Sequence, residues 1–175
     1  SVGLPLDGVE VQITDPDTGT PLAQGEIGMI EVRGPNVFKG YWKMPEKTAE
    51  ELRENGFFIS GDLGQFDKNG YLSIVGRQKD LIITGGYNVY PKEIEDVLND
   101  VAGVRESAVF GVAAADIGEK IIAACVPENG ATIDQTALET AIGEKLARFK
   151  HPRVFQTLEA LPRNAMGKVQ KNVLR

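Results

Sequence analysis

The hydrophobic period of this chain changes once, near Gln78-Lys79-Asp80, and no other feature limits its fold as much. Upstream, short runs alternate apolar and polar residues, the period of a half-buried strand: Val9 to Thr14, Met29 to Arg33, Phe57 to Ile59 and Tyr71 to Val75. Turn residues separate them, with Asp15-Pro16-Asp17-Thr18-Gly19 after the first and Asn69-Gly70 before the last. One helix interrupts, Met44 to Gly56, with Pro45 where a first turn tolerates it and Gly56 as its stop. Downstream, α and β patterns mix. Leu81 to Ile83, Ser107 to Val112 and Ile121 to Val126 read as strands. Pro91 to Asn99 reads as a helix, as does Asp134 to Leu146, where Leu138, Ile142 and Leu146 share a face. The expected class is α+β: an antiparallel β-rich segment, then a small α+β domain with a short central sheet flanked by helices. The strands are too few for a doubly wound sheet. The expected division is residues 1–77, a junction at 78–80, and residues 81–175.

Composition removes several functions. One cysteine, Cys125, and one histidine, His151, exclude a disulfide framework, a redox CxxC pair and a Cys/His zinc site. A reducing, cytoplasmic setting is expected. No apolar run approaches the ~20 residues that cross a bilayer, so no membrane span is expected. The chain opens Ser1-Val2-Gly3 and its first methionine is Met29, which reads as a processed product or a piece of something longer. The net charge of -6 is uneven: from Lys145 onward eight bases meet one acid, Glu159. That tail lacks a repeated basic-aromatic pattern and the acidic body would repel a phosphate backbone, so no nucleic-acid partner is expected. A solvated basic face, or attraction of a small anionic ligand, accounts for it.

Four segments carry residues suited to chemistry. Ser60-Gly61-Asp62-Leu63-Gly64 sets one acid between glycines after an apolar strand. Its two oxygens can accept from vicinal hydroxyls such as those of a ribose, or from its own backbone in a turn. Arg77, in Gly76-Arg77-Gln78-Lys79-Asp80, adds a fork of donors for hydroxyl or phosphate oxygens, or for a surface ion pair. Gly85-Gly86 allows close backbone approach by an extended ligand, or makes a tight strand-to-helix turn; it fits neither a dinucleotide fingerprint nor a Walker loop. In Pro162-Arg163-Asn164-Ala165-Met166-Gly167-Lys168-Val169, Lys168 follows a glycine in a loop that could bring an ammonium to developing negative charge, or leave it in solvent. His151 reads as non-catalytic and Cys125 as a buried small hydrophobe.

The order of these segments is more specific than any one of them. Gly40-Tyr41-Trp42, Gly61 to Gly64, Gly76 to Glu95 and Pro162 to Val169 together resemble the C-terminal third of an acyl-CoA synthetase of the adenylate-forming (ANL) superfamily. The Lys79-Asp80-Leu81-Ile82-Ile83-Thr84-Gly85-Gly86 wording is similar to malonyl-CoA synthetases and related short- or medium-chain ligases. The resemblance implies an ATP-dependent ligase that joins a carboxylate to AMP with loss of pyrophosphate, then passes the acyl group to coenzyme A. It implies that Asp62 and Arg77 hold the ribose hydroxyls and that Lys79 is the hinge of a small mobile domain. Lys168 would be the catalytic lysine bridging carboxylate and nucleotide during adenylation, and Gly85 and Gly86 would line the pantetheine tunnel after rotation. Lys168 would also be a target of a protein lysine acetyltransferase and deacetylase, since losing its charge removes that contact.

Under this resemblance residues 1–77 are the β-rich end of a large N-terminal domain. The phosphate-binding loop, the Mg2+ ligands and the acyl pocket would lie in the rest of the same protein, leaving no metal site here. The 175 residues alone are therefore expected not to form acyl-AMP. An adenylation domain loading a carrier protein, and a non-catalytic interaction module, are the rival readings.

Overall fold

The computed structural model describes residues 1–175 and separates into two compact units, Ser1–Lys79 and Asp80–Arg175. The first is an antiparallel meander of β1 (Glu10–Thr14), β2 (Gly28–Arg33), β3 (Phe58–Phe66) and β4 (Leu72–Arg77), neighbours in that order. The turns follow their residues. Asp15 Oδ1 accepts the amides of Asp17 and Thr18, and Asp67 Oδ1 accepts those of Asn69 and Tyr71 around the left-handed Gly70. Ile13, Met29, Ile30, Phe57 and Leu63 form the buried apolar set.

Two expectations for this unit change. The helix α1 covers only Pro45–Glu51. Leu52 is extended and bridges Phe58, because Arg53 leaves the helix to place its guanidinium on the buried carboxylate of Glu31. Strand β3 runs on through Gly61-Asp62-Leu63-Gly64, so Asp62 is a strand residue and not a turn acid.

The second unit is built on β8 (Gly118–Pro127). Along one side it pairs with β7 (Val104–Ala114), antiparallel and in continuous register from Glu106↔Val126 to Ala114↔Gly118. Its other side meets β5 (Ile82–Thr84) at Thr84↔Gly118 and then, in parallel, β9 (Val154–Thr157). Alternate residues of β8 serve different cores. Ile121, Ala123 and Cys125 face Ile94, Val97 and Leu98 of α2 (Pro91–Asn99) and Leu138 and Ile142 of α3 (Gln135–Lys145). Ile122, Ala124 and Val126 pack with Leu161, Val169 and Leu174, the last from α4 (Lys171–Leu174). Burial on both faces is why this strand reads as a continuous apolar run. It also pushes the Cys125 thiol up to about 11, which keeps it protonated and inert.

The sequence pattern omits β6 (Tyr87–Val89), β9 and α4. The Gly85-Gly86 turn leads into β6, not directly into a helix. Both glycines have positive φ, 56° and 81°, the requirement of a two-residue hairpin turn whose twist suits its strands. Half of the bases in the basic tail are paired and do not simply face solvent. Lys145, Lys150, Arg163 and Lys171 pair with Asp100, Glu93, Glu106 and Glu95 of the same unit. No helix is long and apolar enough to cross a membrane.

Candidate functional site

Asp62 and Arg77 are cross-strand partners in the β3–β4 pair. Register slips on both sides of Asp62: between Met29 and Glu31 against β2, and between Leu63 and Gly64 against β4. Bulges of this kind re-aim a side chain, and Gly61, at φ +75°, supplies the backbone conformation. Ser60 fixes the bend, donating its hydroxyl to the Ile30 carbonyl at 2.8 Å and accepting the Asp62 amide at 3.1 Å. Arg77 Nε lies 3.1 Å from Asp62 Oδ1. The carboxylate is about three-quarters covered, with its side chain 26% exposed, while the guanidinium is half exposed. Asp62 Oδ2 and the terminal nitrogens of Arg77 have no protein hydrogen bond. One acceptor oxygen and the terminal donors are therefore left on neighbouring strands, a chemistry that suits hydroxyl groups.

Lys168 stands in the second unit at the end of a closed turn. Asn164 and Lys168 are joined by an amide-to-carbonyl bond of 3.0 Å, inside a bridge between Arg163 and Val169. The Asn164 side chain accepts the amides of Met166 and Lys168 at 3.0 and 2.9 Å. Arg163 donates to the Gly167 carbonyl at 2.7 Å and pairs with Glu106 on β7. The turn is well held, but Lys168 itself is exposed and belongs to no ion pair. It differs in this from its paired basic neighbours Arg163 and Lys171.

Gly85 and Gly86 are exposed at the tip of the β5–β6 hairpin. Beside them Thr84, Gly85, Tyr87, Ile117, Phe149 and Arg153 line a cavity of about 140 Å³, and the Tyr87 and Phe149 rings stack with centroids 4.5 Å apart. No short sequence pattern marks this cavity, since its residues are drawn from positions 84 to 153. His151 turns its Nε2 to the Leu146 carbonyl at 3.0 Å, a structural contact. Lys79 closes the first unit within the 3₁₀ turn Gln78–Asp80. The structure thus brings Asp62 and Arg77 together in one unit and carries Gly85, Gly86 and Lys168 in the other. No cluster of three or more His, Cys, Asp or Glu side chains is arranged to hold a metal ion.

Residues 93–168 match the AMP-binding enzyme C-terminal domain, and residues 1–42 match the AMP-binding enzyme family. The chain belongs to the AMP-binding enzyme family. It is similar to ATP-bound MatB from Rhodopseudomonas palustris, with 57% identity and a TM-score of 0.94 over all of this chain and 35% of that one. The amide bond synthetase McbA from Marinactinospora thermotolerans is 38% identical with a TM-score of 0.94, over 99% of this chain and 35% of its own. Feruloyl-CoA synthase from Amycolatopsis is 42% identical over the full chain and 35% of its length. The chain spans about a third of the length of the relatives it matches. The two solved structures share its α+β fold, and the activities for which these relatives are named differ, one being an amide bond synthetase and another a feruloyl-CoA synthase.

Proposed function

We propose that this chain is the C-terminal portion of an AMP-forming acyl-CoA ligase and that it supplies the ribose contact and the catalytic lysine. The observation that carries this reading is the Asp62–Arg77 pair, re-aimed by two bulges with acceptor and donor capacity left over, in a chain of the AMP-binding family. Asp62 accepts from the ribose hydroxyls of ATP and of acyl-AMP, and Arg77 donates to the same sugar. Lys168 offsets the charge that develops as a carboxylate oxygen attacks the α-phosphorus and pyrophosphate departs. Its freedom from any ion pair supports that role, because a paired lysine would first have to break its bond. In the second half-reaction the thiol of coenzyme A attacks the acyl carbonyl and AMP leaves. Gly85 and Gly86 then line the thiol's path, and Lys79 is the hinge between the two arrangements, a 3₁₀ turn at the border of two compact units.

Malonate is the proposed acid, on the strength of the Lys79 to Gly86 wording, with a short- or medium-chain carboxylate as the second choice. The Mg2+ that accompanies ATP, the phosphate loop and the acyl pocket are assigned to the remainder of a longer cytoplasmic protein, so the 175 residues alone should release no pyrophosphate. An exposed, unpaired Lys168 is also open to reversible acylation by a protein acyltransferase, which would silence adenylation. The test is to supply the full-length protein with ATP, Mg2+ and a panel of acids, offering coenzyme A, a carrier protein or an amine as acceptor. AMP, pyrophosphate and acyl-CoA should form, fastest with malonate. Transfer only to a carrier protein or an amine would move the chain to another branch, and no AMP with any acid would reject the ligase reading.

A further inference from the structure

The two loops assigned to the two half-reactions are each tied down by a glutamate of the β7–β8 hairpin. At the far end of the hairpin, Glu106 on β7 pairs with Arg163, and Arg163 donates to the Gly167 carbonyl directly before Lys168. Near the hairpin's own turn, Glu119 on β8 accepts the Ile83 amide at 2.8 Å. Ile83 is the middle residue of β5, and its pairing with Asn88 turns its amide away from β6. It points towards β8 where that strand's pairing with β5 is reduced to Thr84↔Gly118. The Glu119 carboxylate stands in for the missing backbone acceptor. A second contact nearby, the Gly85 amide on the Ile117 carbonyl at 2.8 Å, completes the attachment of the glycine turn.

The chain makes room for this side chain. A Cβ on Gly111 would lie 2.5 Å from Glu119 Oε1 and 3.0 Å from Ile82, so glycine at 111 is what lets the carboxylate lie across β7. Glu106 and Glu119 are separated by the seven register steps from Glu106 to Ala113, Glu119's partner, roughly 24 Å along the strands. Each can therefore act on its own loop with little influence on the other.

We propose that Glu106, through Arg163, is the positioning residue for the Lys168 turn, and that Glu119 is the positioning residue for the Gly85-Gly86 hairpin, so that each serves one half-reaction. The inference rests on the ligase reading above and adds two residues that touch neither substrate. A loop displaced by about 1 Å loses on the order of a hundredfold in rate, which sets the scale of the expected losses.

The test measures both half-reactions in the full-length protein: exchange of labelled pyrophosphate into ATP, and acyl transfer to coenzyme A from synthetic acyl-AMP. Glu106→Ala should lower exchange on the order of ten- to a hundredfold and leave acyl transfer within about twofold. Glu119→Ala should do the reverse, with a raised KM for coenzyme A. Gly111→Ala should give a milder form of the Glu119→Ala result, by pushing the carboxylate off the Ile83 amide. Glu119→Gln should restore transfer, since its amide oxygen still accepts from Ile83. Hydrogen exchange at the Ile83 amide should be faster in Glu119→Ala and near normal in Glu119→Gln, a readout that requires no turnover. Equal losses in both half-reactions, or none in either, would overturn the positioning roles in an otherwise active enzyme. An unsubstituted protein inactive in both assays would instead overturn the ligase reading, and this inference with it.

Discussion

Glu31 is the most tightly committed ionisable residue of the chain. It is fully buried on β2, yet Arg53 donates two hydrogen bonds to Oε1, Thr14 adds a third and Gln12 donates to Oε2. Burial alone would raise its carboxyl, and the donors of Arg53, Gln12 and Thr14 together outweigh burial and hold it below its ordinary value of 4.5. Since the folded value is the lower one, the stabilisation is complete above about pH 4.5. It is lost as the pH falls through the depressed value. Arg53→Ala leaves a buried carboxylate short of its charged partner and should cost about 3 kcal/mol in urea unfolding at neutral pH. The acid-unfolding midpoint should move to higher pH, because burial then acts on Glu31 with less opposition. An unchanged acid limb would show that Arg53 does not govern this carboxylate. None of this is legible in sequence, where Glu31 alternates with apolar neighbours as a solvent-facing strand residue would. Asp62 was legible as a candidate because two glycines flank it. Its re-aiming by bulges was not, because register is a property of strand pairs.

At the scale of elements, one side chain engages the edge of β7 at Val109. Glu95 on α2 accepts the buried Val109 amide at 2.8 Å and the Lys171 ammonium at 2.6 Å, joining α2, the edge strand and α4. An open edge would expose unpaired backbone groups to other chains. Glu95→Ala strands the Val109 amide and should destabilise the second unit by about 1–3 kcal/mol, with faster hydrogen exchange at Val109 and throughout α4. Glu95→Gln keeps an acceptor but loses the charge facing Lys171, and should fall between the two. Equal exchange at Val109 in all three proteins would remove Glu95 from this role. The same elements show what sequence period can and cannot supply. Helix α2 lies where Pro91 and its apolar spacing put it, and β8 follows its apolar run. The four-residue α4 and the short β6 and β9 carry too few residues to establish a period. They exist because β5, β7 and β8 offer them partners.

At the scale of the whole molecule, the chain passes from one compact unit to the other at Lys79, and the residues proposed to act in turn on one acyl group are divided between them. The proposed ribose contacts Asp62 and Arg77 belong to the first, and the proposed catalytic Lys168 and the glycine hairpin to the second. The basic tail from Lys145 onward carries a net charge of +7. Four of its bases are held in ion pairs within the second unit; Arg148, Arg153, Lys168 and Arg175 belong to none, and of these Lys168 stands on a closed turn. Lys168 is marked in the sequence by its motif, whereas the pairing of Lys145, Lys150, Arg163 and Lys171 depends on acids 45 to 76 positions away, which no local pattern shows. The measurement that bears most directly on this account is the activity of Lys168→Ala in the full-length protein, with the two half-reactions assayed apart. Exchange of pyrophosphate into ATP should fall by on the order of a hundredfold or more, while transfer from preformed acyl-AMP to coenzyme A continues at close to the unsubstituted rate. Undiminished exchange, or equal loss of both steps, would contradict it.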